Sequence, residues 1–277
     1  TAQKETLLPA IAAGENVFAF AYAEPQGRYN LADLVTTAAK SGNGFTLNGY
    51  KAVVSGAPWA DKLIVTARTS GGQRDADGVT VFVVDKNAKG VSTRDYPTVD
   101  GQRASEVTLE NVTVGADAVI GEVGGGLKIV EKVTDEAIAA LSAEAIGAMK
   151  VLNDTTIEYS KTRKQFGTPI GKFQVLQHRM VDMVLELELA RSAAMLACQS
   201  LDGDAVQRSA AASAAKVTVA RACRFAGQNA VQLHGGMGMT DELAIGHYFK
   251  RATVIEHQFG SAGWHLARRA AVDAAAA

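Results

Sequence analysis

The sequence predicts an α+β protein in which an antiparallel β-domain is followed by a C-terminal four-helix bundle. Up to residue 122 the chain repeatedly shows alternating or β-branched segments, which are typical of strands. From residue 123 onward, apolar residues recur every three or four positions, which is the period of an amphipathic helix. We therefore place the β-domain, a small barrel or sandwich, at 16–122 and the bundle at 123–277, and assign 1–15 to the end of a preceding helical domain.

Several segments of the first half have the composition of strands. They are Val17–Tyr22, Phe45–Leu47, Tyr50–Val54, Leu63–Ala67, Val79–Val84 and Val107–Leu109. The dipeptides Asn43-Gly44 and Asn48-Gly49 predict tight turns, because both residue types accept a positive φ. Since no helix-length spacer separates the strands, we expect antiparallel pairing.

Long helices are predicted in the second half. The first carries an apolar stripe over Ile138–Leu152. The second repeats the pattern over Leu176–Ala194, a stripe narrow enough to pack against a helix of the bundle or of another subunit. The third begins after Asp204, a predicted N-cap with Gln207 in the capping-box position, and 262–277 predicts a further, fraying helix.

Charge and composition exclude several classes of partner. The formal net charge is −1, so we expect no general electrostatic attraction to nucleic acid or an anionic membrane. No apolar run is long enough for a membrane span, and the N-terminus lacks the pattern of a secretory signal. The histidines show no metal-ligand spacing, so we expect no metal site. Cys198 and Cys223 are expected to be free thiols in a reducing compartment, the bacterial cytoplasm, with the mitochondrial matrix as the alternative.

Two segments of the helical half have a composition that helix packing does not require. The first is RKQFGTPIGKFQ (163–174), which places an arginine and an aromatic residue in a turn between two helices. The second is QLHGGMGM (232–239), whose glycines allow a backbone to approach a ligand closely. Each has a plainer explanation: an arginine at a helix C-terminus compensates the helix dipole, and Gly235-Gly236 can simply end a helix. Their occurrence together favours a ligand site over either explanation.

The order of the two halves and these two segments together resemble the C-terminal two thirds of the acyl-CoA dehydrogenase family, whose members are flavoproteins. The similarity extends over nearly the whole chain, from Glu24-Pro25 through Asn48–Lys51 to Gly260. The family's N-terminal helical domain would precede Thr1 and is expected to be absent from this chain.

The resemblance implies FAD as the cofactor. Arg163 and Phe166 would contact the diphosphate and adenosine of an FAD bound to a neighbouring subunit, since a guanidinium fork suits phosphate geometry. Ser55 takes the position where the family places a hydroxyl beside the flavin, although a serine at a strand end also forms turns. The remaining cofactor contacts that the family implies are Ile170, Phe173, Gln174, Gln232, Gly235, Gly236 and Ser261.

The family's catalytic glutamate is missing from the position where the resemblance places it. Removal of an α-proton from an acyl thioester requires a base, which in the family immediately precedes a Gly-Thr pair. That position is Phe259 here, and the position that some members use on the first bundle helix is Ala137, beside Glu136. Glu256, which would share a helical face with Phe259, is our candidate for a relocated catalytic base, and a solvated surface glutamate is the other interpretation.

Other departures lie around the same chemistry. The segment that the family places beside the flavin and the thioester is AEPQGRYN at 23–30, where bulky residues replace small and hydroxyl residues. Val53 stands where the family has a tryptophan that shields the flavin. We assign Tyr29 and Asp135 to substrate binding.

The resemblance therefore implies an FAD-dependent oxidoreductase of fatty acid metabolism that dehydrogenates an acyl-CoA between its α and β carbons and passes electrons to an electron-transfer flavoprotein. The chain most resembles the small subunit of heteromeric members such as pimeloyl-CoA dehydrogenase. We accordingly expect a homo- or hetero-oligomer, a dimer or a heterotetramer, in which a partner supplies the glutamate. The alternatives are a homo-oligomeric enzyme that uses Glu256 or Glu136, a non-catalytic structural subunit of the same fold, and another flavin chemistry such as that of an oxidase.

Overall fold

A computed structural model describes residues 2–276 and the side chains up to Ala274. The parts of the predicted ranges that fall on Thr1 and Ala277 lie outside the described residues. The chain divides into two compact units, the first ending at Glu131 and the second beginning at Lys132. The domain boundary expected between 122 and 123 stays a prediction.

The first unit contains helix α1 (Ala2–Ala12) and a mixed β-sheet. Its strands are β1 (Phe18–Ala21), β2 (Thr37–Ser41), β3 (Gly44–Ser55), β4 (Lys62–Arg68), β5 (Val79–Asp85), β6 (Val91–Pro97), β7 (Arg103–Gly115) and β8 (Val119–Ile120). The order along the sheet is β6-β7-β3-β2-β4-β5-β8, and β1 pairs with β4. Antiparallel pairing is confirmed for the neighbouring strands, except that β1 and β2 each run parallel to β4. These parallel pairs join strands separated by long stretches of chain, which is the length that a crossover requires.

The turn predicted at Asn48-Gly49 is wrong. Residues 44–55 form the single strand β3, and the hairpin with β2 closes at the preceding turn, where Ser41 pairs with Gly44. A Cβ atom at Gly49 would lie 2.6 Å from the Cα of Thr36. This position therefore requires glycine because two backbones approach closely, and the strand continues through it with a bulge opposite β7.

The core of the first unit lies between the inward-facing side chains of the sheet. Leu47, Leu63, Phe82 and Leu109 are fully or almost fully buried in one cluster. Phe45 packs edge-on against Phe82 with ring centroids 5.2 Å apart. The alternation of buried and exposed residues along β3 and β7 follows from the two-residue period of a strand.

The helical half contains α2 (Leu127–Thr162), α3 (Gln174–Gln199), α4 (Ala205–His234), α5 (Ala244–His257) and α6 (Ala262–Ala276). Leu141 of α2, Leu187 of α3, Val219 of α4 and Ile255 of α5 belong to one buried cluster, so the predicted four-helix bundle is confirmed. Helix α6 packs along α4. Helix α5 is missing from the predicted helices, because Gly246 and the glycines before it interrupt the apolar period.

Local signals at two helices agree with the structure. The carboxylate of Asp204 accepts a hydrogen bond of 2.8 Å from the amide of Gln207, so the predicted N-cap of α4 is confirmed. The predicted stripe of α3, which includes Met183 and Leu187, is buried in the bundle. The outer side of α3 is also apolar and is exposed. Its large side chains are Val181, Val184, Leu185, Leu189, Met195 and Leu196.

Among residues 2–276, no helix combines the length and the apolar character needed to cross a membrane.

Candidate functional site

The first candidate segment forms a tight β-hairpin at the end of α2. Its short strands are Lys164–Gln165 and Thr168–Pro169, and the two turn residues, Phe166 and Gly167, have φ angles of 53° and 77°. Two positive φ values are typical of the turn that joins closely paired strands. The amide of Ile170 donates to the carbonyl of Arg163 over 2.8 Å, which closes the base of the hairpin.

The hairpin displays its polar and aromatic side chains to solvent. Phe166 is 94% exposed, and its ring lies edge-on to that of Phe173 at a centroid distance of 6.3 Å. Arg163 and Gln174 are exposed, and no ion pair of the described residues involves Arg163. Ile170 is buried beneath them. An exposed guanidinium without an ion-pair partner among the described residues and an exposed aromatic ring are suited to a nucleotide.

The second candidate segment is the bend that follows α4. Gly235 has a φ of 60° and ends the helix. Neither Gly235 nor Gly236 would bring an added Cβ within 4 Å of another atom, so the space above this backbone is open. Gln232, one turn earlier, is exposed beside it. The glycines therefore both end the helix and leave its last backbone groups accessible, so the two explanations considered for them are compatible.

A stacked ring pair joins the two segments within the second unit. The ring of Tyr159 lies 4.3 Å from that of His234 with an angle of 26° between the planes. Tyr159 also accepts a hydrogen bond from the amide of Arg163 at its carbonyl, and His234 directly precedes Gly235. The hairpin and the glycine bend, far apart in sequence, are thus neighbours in space.

Phe259, at the position where the resemblance places the family's base, lies in a strained turn after α5. Phe259 has a φ of 59°, which is rare for a residue with a bulky side chain, and Gly260 has a φ of 127°. The side chain of Phe259 packs against the buried cluster of the bundle. Helix α5 ends at His257, so the expectation that Glu256 and Phe259 share a helical face is wrong.

Glu256 is neither a solvated surface residue nor a free carboxylate. Its side chain is 6% exposed and forms an ion pair with Arg224, and His257 lies 3.8 Å away. This pair raises the pKa of the Arg224 guanidinium, chiefly through the hydrogen bond to Glu256. A carboxylate held in this way is already a hydrogen-bond acceptor within the bundle, which does not favour a role as catalytic base.

Asp135, which we assign to substrate binding, lies in the interior of the bundle, and its role in substrate binding stays a prediction. The residue is 1% exposed, and its carboxylate accepts a hydrogen bond of 2.7 Å from Arg268 and lies 3.6 Å from Arg208. It thereby connects α2 to α4 and α6. Glu136, the next residue, is half-buried and lies 3.5 Å from Lys132 on the same helix.

Ser261, an expected cofactor contact, lies at the start of α6. Its hydroxyl accepts a hydrogen bond of 3.3 Å from the amide of Trp264, so it caps this helix. The hydroxyl is half-exposed and keeps a lone pair that the cap does not use. The cofactor role of Ser261 stays a prediction.

In the first unit, Ser55 is exposed at the end of β3. Two residues earlier, Val53 has a φ of 52° and lies at a second bulge in the pairing with β7. A β-branched residue is strained in this conformation, and such strain is often found at functional sites. Tyr29 is half-buried in the loop before β2. The roles of Ser55 and Tyr29 stay predictions.

A buried ion pair anchors that loop, and sequence reasoning missed it. Nζ of Lys51 lies 2.7 Å from Oε1 of Glu24, and both side chains are fully buried. Oε2 of Glu24 accepts from the amide of Val35 over 2.8 Å, and Lys51 also donates to Thr66. Burial lowers the pKa of Lys51 to about 8, against the opposing effect of Glu24. The only signal in the sequence is a lysine at an inward-facing position of a strand.

The structure contains no candidate metal site among residues 2–276, where no three of the usual ligand side chains converge. Both cysteines are free, Cys223 buried and Cys198 exposed.

The sequence and the fold match one family. The family model described as "Acyl-CoA dehydrogenase, middle domain" matches residues 19–112, and that described as "Acyl-CoA dehydrogenase, C-terminal domain" matches residues 124–272. A 3-(aryl)acrylate reductase of Clostridium sporogenes is 32% identical over 91% of this chain and 67% of its own length. A mitochondrial isovaleryl-CoA dehydrogenase of Oryza sativa is 32% identical over 92% of this chain and 63% of its own length. The chain thus spans less than two thirds of the length of the rice enzyme.

Solved structures show the same architecture. The butyryl-CoA dehydrogenase of Megasphaera elsdenii superposes with a TM-score of 0.90 at 27% identity, over 99% of this chain and 72% of that one. The FAD complex of PigA superposes with a TM-score of 0.92 at 27% identity, over 100% of this chain and 73% of that one.

Proposed function

The chain belongs to the acyl-CoA dehydrogenase family, and from this premise we propose that it is an FAD-binding subunit of an enzyme that dehydrogenates an acyl-CoA thioester. In this proposal the chain binds the ADP portion of FAD, and a partner subunit of the same fold carries the catalytic base. Bound FAD would supply the acceptor for the hydride that leaves the β carbon.

The observation that carries the proposal is the joining of the hairpin and the glycine bend through Tyr159 and His234. Arg163 supplies a guanidinium fork for a diphosphate, and Phe166 supplies an exposed ring for the adenosine. The amide of Gly235 already donates to the carbonyl of Gln232, but no side chain at Gly235 or Gly236 obstructs the approach of a diphosphate to this backbone. These residues fit the anionic and aromatic parts of FAD.

The second part of the proposal concerns the base. The side chain at the family's base position, Phe259, packs into the bundle, and Glu256 is engaged by Arg224. Neither group is free to take a proton from a substrate. A base from another subunit is therefore the arrangement that best agrees with an acyl-CoA dehydrogenase reaction.

A contact surface for such a subunit is present on α3. The inner face of α3 is buried in the bundle, and its outer face, which contains Leu185, Leu189 and Leu196, is also apolar but is exposed. Exposed apolar patches of several hundred Å² mark interaction sites. We assign this face to the contact with the partner bundle. The electron-transfer flavoprotein as acceptor, the heterotetramer and the cytoplasmic location stay predictions.

The test of the cofactor site is an Arg163→Ala substitution in the purified chain together with any co-purifying partner. Because charge-assisted bonds to phosphate are strong, we expect FAD affinity to fall at least about tenfold, with an unchanged melting temperature, since the side chain is exposed. Arg191→Ala is the matched control. This half-exposed arginine forms an ion pair with Glu188 on the same helix, and it lies about 27 Å along α3 from the hairpin. Equal affinity in both variants would contradict the proposal.

The test of the missing base is rapid-mixing reduction of the bound flavin by acyl-CoA, with the chain alone and with its partner. We expect reduction only with the partner, and no further loss in a Glu256→Gln variant. Reduction by the chain alone that disappears in Glu256→Gln would support the homo-oligomeric alternative. Absence of flavin from every preparation would support the non-catalytic subunit. The reverse reaction is assayed as well, because one relative is named a reductase.

A further inference from the structure

The turn from Gln258 to Ser261 is held from behind by buried polar groups that the proposed function does not use. Its φ values at Phe259 and Gly260, 59° and 127°, are unfavourable and persist only where the surroundings fix them. The turn also carries Ser261, the cofactor contact implied by the family. Whatever fixes this turn therefore fixes the position of Ser261.

The group behind the turn is His265, which is fully buried. Its Nε2 lies 3.0 Å from the carbonyl oxygen of Phe259, and its Nδ1 lies 3.2 Å from the hydroxyl of Ser213 on α4. The imidazole also occupies the space that a side chain at Gly260 would need, since a Cβ there would collide with Nε2. The ring thus fixes the turn by one hydrogen bond and by direct packing.

These contacts determine the protonation of the ring. A carbonyl can only accept, so Nε2 must carry the hydrogen that it donates to Phe259. In the neutral ring, Nδ1 then accepts the hydroxyl hydrogen of Ser213. The Ser213 oxygen accepts in turn from Arg268, whose Nη1 lies 3.5 Å away and also donates to Asp135 over 2.7 Å. The neutral imidazole is the form that completes this chain of bonds.

Charged groups surround the ring on every packed element. Lys216 of α4 donates to the carbonyls of Ile255 and Glu256 over 2.6 Å and 2.9 Å, which holds the other side of the turn. Arg268 lies on α6 and is paired with Asp135 of α2, and the Glu256 carboxylate of α5 is paired with Arg224 of α4.

Burial lowers the pKa of His265 to about 4, with a smaller opposing effect of the bond to Phe259, and Lys216 and Arg268 lower it further. Because this value lies below the ordinary 6.5, folding favours the neutral ring. The stability that it contributes is complete above about pH 6.5 and is lost as the pH falls toward 4.

We propose that His265 is the positioning residue of the cofactor site: its neutral imidazole holds the turn at 258–261 and, through it, Ser261. Protonation of the ring removes the acceptor for Ser213, places a third cation beside Lys216 and Arg268, and loosens the turn. The part of this inference that concerns FAD rests on the proposed function, whereas the part that concerns the turn does not.

The test compares three side chains at one position in the purified protein with its partner. His265→Gln keeps an N–H donor for Phe259 but cannot titrate, and we expect FAD affinity at pH 7.5 within about threefold of the wild type. His265→Leu suits a buried helical position but leaves the carbonyl of Phe259 and the hydroxyl of Ser213 without this partner, so we expect a lower melting temperature together with at least about tenfold weaker FAD binding. A residue that only filled space would tolerate leucine.

The pH profile separates positioning from packing. Wild-type FAD affinity is expected to fall between pH 6.5 and pH 4, whereas that of His265→Gln stays flat over the same range. His247→Gln, at an exposed histidine, is the control and should follow the wild type. Full FAD binding by His265→Leu, or an acid-dependent loss that persists in His265→Gln, would overturn the proposal.

A readout without FAD distinguishes failure of this inference from failure of the proposed function. Trp264 contacts His265 edge-on with a centroid distance of 4.7 Å. In a Trp59→Phe background it is the sole tryptophan of the chain, and its emission should change between pH 6.5 and pH 4 in the wild-type turn but not in His265→Gln. If that change occurs and no FAD binds at any pH, the proposed function fails while the role of His265 in the turn stands. If the emission does not change, the positioning role is contradicted.

Discussion

Two phenylalanines of the helical half have nearly the same positive φ, and their side chains have opposite surroundings. Phe166 in the hairpin has a φ of 53° and is 94% exposed, whereas Phe259 after α5 has a φ of 59° and packs against the core. A positive φ therefore accompanies an exposed ring at Phe166 and a packed ring at Phe259. Exposure of the side chain, and not backbone strain, distinguishes a candidate ligand contact from a residue that stabilises the fold.

The same contrast extends to the polar residues around each phenylalanine. Arg163 beside Phe166 has no ion-pair partner among the described residues, while Glu256 near Phe259 is held by Arg224. The hairpin is thus open to a cofactor, whereas Phe259, at the position where the resemblance places the family's base, packs against the interior of the bundle. This difference is the physical basis for assigning cofactor binding to this chain and the base to a partner.

The largest expected loss of stability that tests the contrast between the packed turn after α5 and the exposed cofactor segments comes from adding one methyl group at Gly260. Gly260→Ala would force a φ of 127° on an alanine and bring its Cβ into the buried ring of His265. Strain and overpacking together should lower the free energy of unfolding by about 4 kcal/mol, measured by urea titration.

Gly235→Ala is the matched variant at the open bend. Its φ of 60° and ψ of −142° lie outside the regions that alanine favours, but nothing lies within 4 Å of the added Cβ, so we expect a loss of about 2 kcal/mol, which is less than at Gly260. The free energy of FAD binding should be reduced by more than the free energy of unfolding, because the methyl group covers the backbone of the bend. Equal destabilisation by the two substitutions would show that the two regions do not differ in the way described.

Alanine substitutions at Phe259 and Phe166 remove each ring in turn. Phe259→Ala should cost about 2 kcal/mol of stability, since the half-buried ring loses part of its packing against the bundle. Phe166→Ala should change stability by less than about 0.5 kcal/mol and weaken FAD binding about tenfold. Urea unfolding and FAD titration of both variants check the pair. A large loss of stability in Phe166→Ala would mean that the hairpin is structural.

Features that depend on neighbouring residues could be predicted from the sequence. The cap at Asp204 requires only a side-chain oxygen three residues before the amide that it accepts from, and the turn after Arg163 is indicated by Gly167 and Pro169, which interrupt the helical pattern. The apolar stripe of α3 likewise predicts the buried face of the helix. In each case the physical cause lies within a few residues of the feature.

Features that depend on residues distant in the chain could not be predicted from the sequence. Asn48-Gly49 has the composition of a turn, but Gly49 is required because the backbone of Thr36 passes close to it. Asp135 and Glu256 were assigned to a site because carboxylates suit substrate and proton chemistry. Their guanidinium partners, Arg268 and Arg224, come from other helices, and no pattern along the chain indicates which arginine meets which carboxylate.

The smallest effect tests the stacked pair that joins the hairpin to the bend. Tyr159→Leu keeps an apolar side chain of good helix propensity but removes the ring that lies 4.3 Å from His234. We expect a loss of about 1 kcal/mol in stability, the value of an aromatic pair, and roughly threefold weaker FAD binding. Both are measured as for the phenylalanine variants. If stability falls while FAD affinity is unchanged, the stacked pair stabilises the bundle but does not set the distance between Arg163 and Gly235. In that case the helices alone position the hairpin and the glycine bend relative to each other.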